Sequence, residues 1–293
     1  MYNKSEDKSG FMGGGQAMNK QLKSNGEFVK IHNNKIHIFR QGDTDKPKLV
    51  FLAGSATVAP VYDFKVLYEK LVHDFRIIVI EKFGYGYSDL FETSCDIDTI
   101  VSIEKQAMDM IGETKPYILV PHSMSGLEAI RWKQKYPDDI MAIIGIDMAT
   151  PLAYRSWTDK KVSKMIKMTE IANKLKLYKI PGLYPLNNRS LTKNEVIQQK
   201  LLMKRNAFNH CYINEGKEVL QNARIVSEHG NIKCPTLLFS SNGKQIDKNW
   251  IKNQQEFAQL MNAKLITFDC GHYIHYYKSN EMSKAMTDFA KKL

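Results

Sequence analysis

Short apolar runs recur along this chain, and stretches of helical periodicity fall between them. Lys48–Leu52, Phe75–Ile80, Tyr117–Val120 and Ile140–Ile146 are continuous apolar segments bounded by Gly, Pro and polar clusters, the pattern of strands buried on both faces. Asp63–Val72, Ile97–Ile111 and Leu127–Tyr136 read as helices. In the last of these, Leu127 and Ile130 share one side, and Pro137-Asp138 stops the helix after Tyr136. Two further apolar runs, Thr236–Phe239 and Lys264–Phe268, are followed by helices around Trp250–Met261 and Glu281–Lys292. Such alternation predicts an α/β fold with a doubly wound, mostly parallel sheet. Upstream, Glu27–Ile31 and Lys35–Arg40 alternate apolar with polar around Asn33-Asn34, which predicts an antiparallel hairpin. His32 and His37 belong to that alternation and read as structural.

The pattern changes at two places. Residues 1–25 are rich in Lys, Ser, Asn and Gly and read as a flexible N-terminal tail. Residues 150–231 carry helical stretches with Met, Leu and Lys, broken at Ile180-Pro181-Gly182 and around Tyr184–Asn188. They predict a helical insertion over the carboxyl edge of the sheet, which leaves 26–149 and 232–293 as the core.

Composition narrows the class. Hydrophobic content of 43% and charged content of 25% are those of an ordinary globular protein. No apolar run approaches the ~18 residues that span a bilayer. The N-terminus lacks the apolar core of a signal peptide, so the expectation is a cytoplasmic protein. Cys95, Cys211, Cys234 and Cys270 show no C-x-x-C spacing and read as reduced thiols. The net charge of +11 is uneven: Pro151–Gly230 holds fifteen Lys or Arg against six Asp or Glu. That excess suits an anionic or lipid-like substrate or a peripheral membrane contact, or is simply a solvated face. No nucleic-acid-binding motif accompanies it, and no nucleic-acid partner is expected.

Chemistry concentrates where apolar strands end. Tyr117–Val120 leads into Pro121-His122-Ser123-Met124-Ser125-Gly126 and then a helix. A serine in a tight strand-to-helix turn has its hydroxyl pushed out of the sheet, above a helix N-terminus that favours negative charge. The G-x-S-x-G form of such a turn is absent, because Pro121 and Ser125 occupy the outer positions. Gly84-x-Gly86-x-Ser88 follows another strand. It lacks the Lys-Ser/Thr of a phosphate loop and the third glycine of a dinucleotide site, so no cofactor is expected, and no metal set appears.

Together with the segment Asp269-Cys270-Gly271-His272, these loops resemble the α/β-hydrolase family over Glu27–Leu293. The resemblance implies an α/β-hydrolase-like core with a helical cap, Ser123 as nucleophile and His272 as base. It also gives Gly84–Ser88, with Glu81 at the acidic position, a structural role. An oxyanion hole would draw on the N–H groups of Ser55, or Gly54, and Met124. For the acid the family offers two places. Asp147 ends the Ile140–Ile146 strand, and Asp247 lies late in the loop after Thr236–Phe239, where it also suits a helix cap. Asp147 is preferred because Asn242 and Lys244 fill the usual acid positions of that loop. The implied activity is hydrolysis of an ester, thioester or amide of a small or medium acyl substrate. The alternative is a hydrolase-like binding protein whose altered turn no longer supports catalysis.

Overall fold

A two-residue turn opens the sheet. Glu27–Ile31 (β1) and Asn34–Gln41 (β2) pair antiparallel, and the residues between them, His32 and Asn33, have φ of 50° and 60°. Positive φ at both positions is type I′ geometry, which matches the twist of paired strands. The turn therefore lies one residue earlier than Asn33-Asn34, with Asn34 already opposite Ile31. In this computed structural model, residues 21–180, 184 and 186–293 are described. The expected tail falls mostly outside the described residues, as do Pro181, Gly182, Leu183 and Pro185 of the expected insertion.

Lys48–Leu52 (β3), Arg76–Glu81 (β4), Tyr117–Pro121 (β5), Ile140–Ile146 (β6), Thr236–Ser240 (β7) and Lys264–Thr267 (β8) complete an eight-stranded sheet. Its order is β1-β2-β4-β3-β5-β6-β7-β8, antiparallel at β1–β2 and β2–β4 and parallel elsewhere. Alternate side chains of each central strand enter opposite layers, which is why these strands read as unbroken apolar runs. Val50, Ile78 and Leu119 face one layer, whereas Phe51, Val79 and Val120 face the other.

Helices cover both faces. Pro60–Asp63 (α1) and Lys65–Tyr68 (α2) precede β4, Ile97–Met110 (α3) precedes β5, and Gly126–Lys135 (α4) follows it. Between β6 and β7 lie Asp159–Lys174 (α5), Lys193–Asn206 (α6) and His210–Glu228 (α7), each opened by a side-chain cap from Thr158, Thr192 or Asn209. Trp250–Leu260 (α8) and Ile274–Ala290 (α9) close the chain. Val101, Leu127, Trp132, Val219 and Phe257 fill the first layer, and Val61, Leu67, Met282 and Met286 the second. Most bounds fall within a residue of the periodicity, but two helix starts differ by more. The helix expected from Asp63 starts at Pro60, which is pre-set for a first helical position. The last helix starts at Ile274 rather than Glu281, since His275 and Tyr276 gain burial against Asp63 and Phe64.

The loop after β4 is held by Glu81. Its buried carboxylate accepts the N–H groups of Val61 (3.1 Å) and Tyr87 (2.7 Å) and lies 2.8 Å from His37 Nδ1. A Cβ at Gly86, whose φ is +48°, would stand 1.9 Å from that carboxyl group. This turn is a structural clamp between β4 and the hairpin.

Candidate active site

Parallel strands bring their carboxyl ends to one rim, and β3, β5, β6, β7 and β8 each deliver a loop there. β5 runs into a single 3₁₀ turn, Ser123–Ser125, and then into α4. Ser123 has φ of +55°, a strained value for a residue with a side chain. The turn is anchored by its neighbours. Ser123 C=O accepts Ala149 N–H at 2.7 Å, tying it to the loop after β6. Ser125, fully buried, accepts His122 N–H at 3.0 Å, and its hydroxyl proton faces Leu52 O (2.8 Å) and His122 O (2.9 Å). The side chain that departs from the glycine pattern thus stitches β5 to β3.

Asp147 follows β6 with φ of +44° and is fully buried. One carboxylate oxygen accepts Ser241 N–H (2.8 Å) and Trp250 Nε1–H (2.7 Å). The other lies 2.6 Å from His272 Nδ1, and His272 Nε2 lies 2.8 Å from Ser123 Oγ. A buried carboxylate beside Nδ1 fixes the proton there and leaves Nε2 as an acceptor facing the serine. His272 N–H donates to Gln245 Oε1 at 3.0 Å, which fixes the backbone of the loop after β8. Asp247 lines the cavity beside Ser123 but does not bond the imidazole: it pairs with Lys161 Nζ at 3.4 Å and accepts Asn249 N–H at 2.9 Å, just before α8.

Behind His272 stands His122, whose ring centroid is 4.8 Å away. Both its nitrogens lack a partner among the described residues, and burial, with His272 and His275 nearby, holds its pKa well below the ordinary value. It is a neutral aromatic wall. His275 is buried and lies 3.1 Å from Asp63 through Nε2.

Gly54 lies against the turn: a Cβ there would be 2.6 Å from Ser123 Cβ and 2.8 Å from His122 O. Only glycine lets the β3 loop approach the serine this closely. In that loop Thr57 N–H is given to Gly54 O, whereas Ser55 N–H and Met124 N–H have no such turn partner among the described residues. Ser55, Ser123 and Met124 line a cavity of about 260 Å³ whose other walls are mostly apolar, including Tyr154 and Trp157, Val162 and Ile166 of α5, and Val219 of α7.

Trp250 and Gln245, which position Asp147 and His272, were not singled out from the sequence. Nothing local marks them, since Trp250 meets a carboxylate 103 residues away. Among the described residues no group of three or more His, Cys, Asp or Glu is placed to hold a metal ion.

No protein-family model matches the chain. Among curated proteins it is similar to YbdG of Bacillus subtilis (strain 168), an uncharacterized protein, with 29% identity over 291 residues, covering 93% of this chain and 87% of that one. It is also similar to epoxide hydrolase 1 of Caenorhabditis elegans, at 21% identity over 72% of this chain and 56% of that protein. Among solved structures, Cfl2 from Burkholderia cenocepacia superposes with a TM-score of 0.71 at 19% identity, covering 90% of this chain and 95% of Cfl2. MGS-M2, an α/β-hydrolase enzyme from a deep-sea metagenome library, gives 0.68 at 19% identity, over 90% of this chain and 97% of that one. The chain has the α/β-hydrolase fold. The enol-lactonase from Burkholderia xenovorans LB400 shares it, with a TM-score of 0.66 at 16% identity, over 90% of this chain and all of that one (100%). Within this fold, the loops that carry Ser123, Asp147 and His272 lie at the carboxyl ends of β5, β6 and β8.

Proposed function

We propose that this protein is a serine hydrolase of acyl substrates, with Ser123 as nucleophile, His272 as general base and Asp147 as the acid that orients it. The observation that carries the reading is the continuous chain of contacts from Asp147 Oδ2 through His272 to Ser123 Oγ, at 2.6 and 2.8 Å. His272 Nε2 takes the serine proton as Oγ attacks the acyl carbon, then returns it to the leaving group. Met124 N–H and Ser55 N–H, with Gly54 keeping its loop close, stabilise the oxyanion; one such donor contributes about 3 kcal/mol. Water activated by the same imidazole then releases the acyl group.

The nucleophile decides between bonds. A relative's name refers to epoxide hydrolysis, and a solved neighbour's to a lactone. An alkyl group transferred to Ser123 would leave an ether, which water does not readily cleave, whereas an acyl group leaves a hydrolysable ester. The site therefore suits esters, thioesters or amides, and the apolar walls around it suit an uncharged acyl portion.

A fluorophosphonate probe tests this directly. Wild type is expected to be labelled at Ser123, with Ser123→Ala unlabelled and its turnover of a p-nitrophenyl ester reduced by about 10⁴-fold or more. Failure of wild type to label or turn over any acyl ester would favour a binding protein built on the same fold.

A further inference from the structure

Of the large apolar side chains left exposed among the described residues, five fall in one short stretch. Met165, Met168, Ile171 and Leu175 are 45, 60, 55 and 65% exposed, and Ile180 is 52% exposed. The first four recur at spacings of three and four along α5 and its C-terminal cap, which puts them on one outer stripe. The opposite side of α5 is occupied: Val162 is buried in the core and Ile166 lines the cavity beside Ser123. Lysines surround the outer stripe. Lys160, Lys164, Lys167, Lys174, Lys176 and Lys179 are all exposed, against only Asp159 and Glu170 from 159 to 180. An apolar stripe set among lysines is the pattern of a helix that lies in a lipid interface, its side chains in the acyl boundary and its ammonium groups at anionic headgroups. Among the described residues no helix is long and apolar enough to cross a membrane.

We propose that the outer face of α5 docks this protein on an anionic lipid surface. Two observations select that occupant. A second copy packed about a two-fold axis would bring the same lysines face to face, a like-charge arrangement that opposes pairing. The stripe is also continuous with the cavity, because Met165 belongs to both. A docked α5 therefore places the cavity mouth at the lipid boundary, where an acyl chain has a short path to it. The docking does not depend on the hydrolase reading, so Ser123→Ala is expected to bind as wild type does.

Co-sedimentation with vesicles tests it. Wild type is expected to bind phosphatidylglycerol-containing vesicles, to bind phosphatidylcholine vesicles poorly, and to be released by salt. Met168→Asp with Leu175→Asp is expected to abolish binding, and Lys164→Glu with Lys167→Glu to weaken it about tenfold or more, each with an unchanged melting temperature. Wild-type protein that ignores anionic vesicles would overturn the proposal. So would binding insensitive to the Met168 and Leu175 changes, which would mean charge contact without insertion. A concentration-dependent dimer that Met168→Asp dissociates would assign the stripe to a second copy instead.

Discussion

Asp147 meets His272 through a single carboxylate oxygen, Oδ2, at 2.6 Å, while Oδ1 is committed to Ser241 N–H and Trp250 Nε1–H. The carboxylate therefore cannot rotate without giving up two buried hydrogen bonds. An asparagine would offer the imidazole either a carbonyl, with no charge to stabilise imidazolium, or an amide that forces the wrong tautomer. Asp147→Asn is expected to lower kcat by about 10³–10⁴ with a much smaller change in KM. Asp247→Asn, which loosens the Lys161 pair and the start of α8 and keeps the volume of a residue on the cavity wall, is expected to cost less than about tenfold. Steady-state kinetics on a p-nitrophenyl ester reads both, and equal losses would overturn the assignment of the acid.

The turn that carries Ser123 makes its own prediction. Ser125 is fully buried and its Oγ is shared among His122 N–H, Leu52 O and His122 O. His122 N–H keeps a second acceptor, Leu52 O at 3.0 Å, so removing the hydroxyl does not orphan it entirely. Ser125→Ala is expected to cost about 1–2 kcal/mol, read as a lower urea midpoint at unchanged slope. A neutral substitution would mean that the hydroxyl only fills the space a glycine leaves.

How much of this was legible in the sequence depends on how local the physics is. β3 and β6 have the bounds their apolar runs indicate, because strands buried on both faces admit no polar interruption. The loop bearing Ser123 was legible for the same reason, since β5 is buried along its whole length, whereas β8 is only partly buried and the loop bearing His272 was legible from its Gly271-His272 pair. The start of α9 was not, because Tyr273–Tyr277 carries no capping signal and owes its order to packing against Asp63. The preference for Asp147 over Asp247 rests, in the sequence, only on Asn242 and Lys244 filling the usual acid positions. Both stand in loops after strands at the same rim, and only the tertiary structure shows which lies against an imidazole 125 residues away from Asp147.

Gly86 belongs to the turn that Glu81 clamps, and its surroundings make that role testable. A Cβ there would overlap the Glu81 carboxyl group at 1.9 Å, and φ of +48° disfavours any L side chain. Glu81 cannot move away without releasing Val61 N–H, Tyr87 N–H and His37 together. Gly86→Ala is expected to destabilise by about 3 kcal/mol or more in urea unfolding. A loss below about 1 kcal/mol would show that the turn adapts more freely than its hydrogen bonds imply.

A buried charge cluster beneath α4 predicts an unusual pH dependence. Lys82 Nζ lies 2.5 Å from Glu128 Oε1 and also contacts Glu215, while Glu104 stands close by with Oε2 unpartnered among the described residues. One ammonium faces three buried carboxyl groups, too many for all to ionise. Burial, reinforced by the charge of Glu128, holds Glu104 well above the ordinary value of 4.5. Glu128 is raised as well, chiefly by burial, so the extra proton belongs to the pair. The folded protein thus keeps a proton that the unfolded chain has released once pH exceeds about 4.5. With more protons bound in the native state, stability falls as pH rises through that window. Glu104→Gln removes the titrating group and lets Glu128 stay ionised against Lys82. Its stability relative to wild type is therefore expected to increase as pH rises above about 4.5, by up to about 1.4 kcal/mol per pH unit over the shifted range. Urea unfolding of both proteins across that range measures the difference, and a gap that does not change with pH would mean that Glu104 is already ionised in the fold.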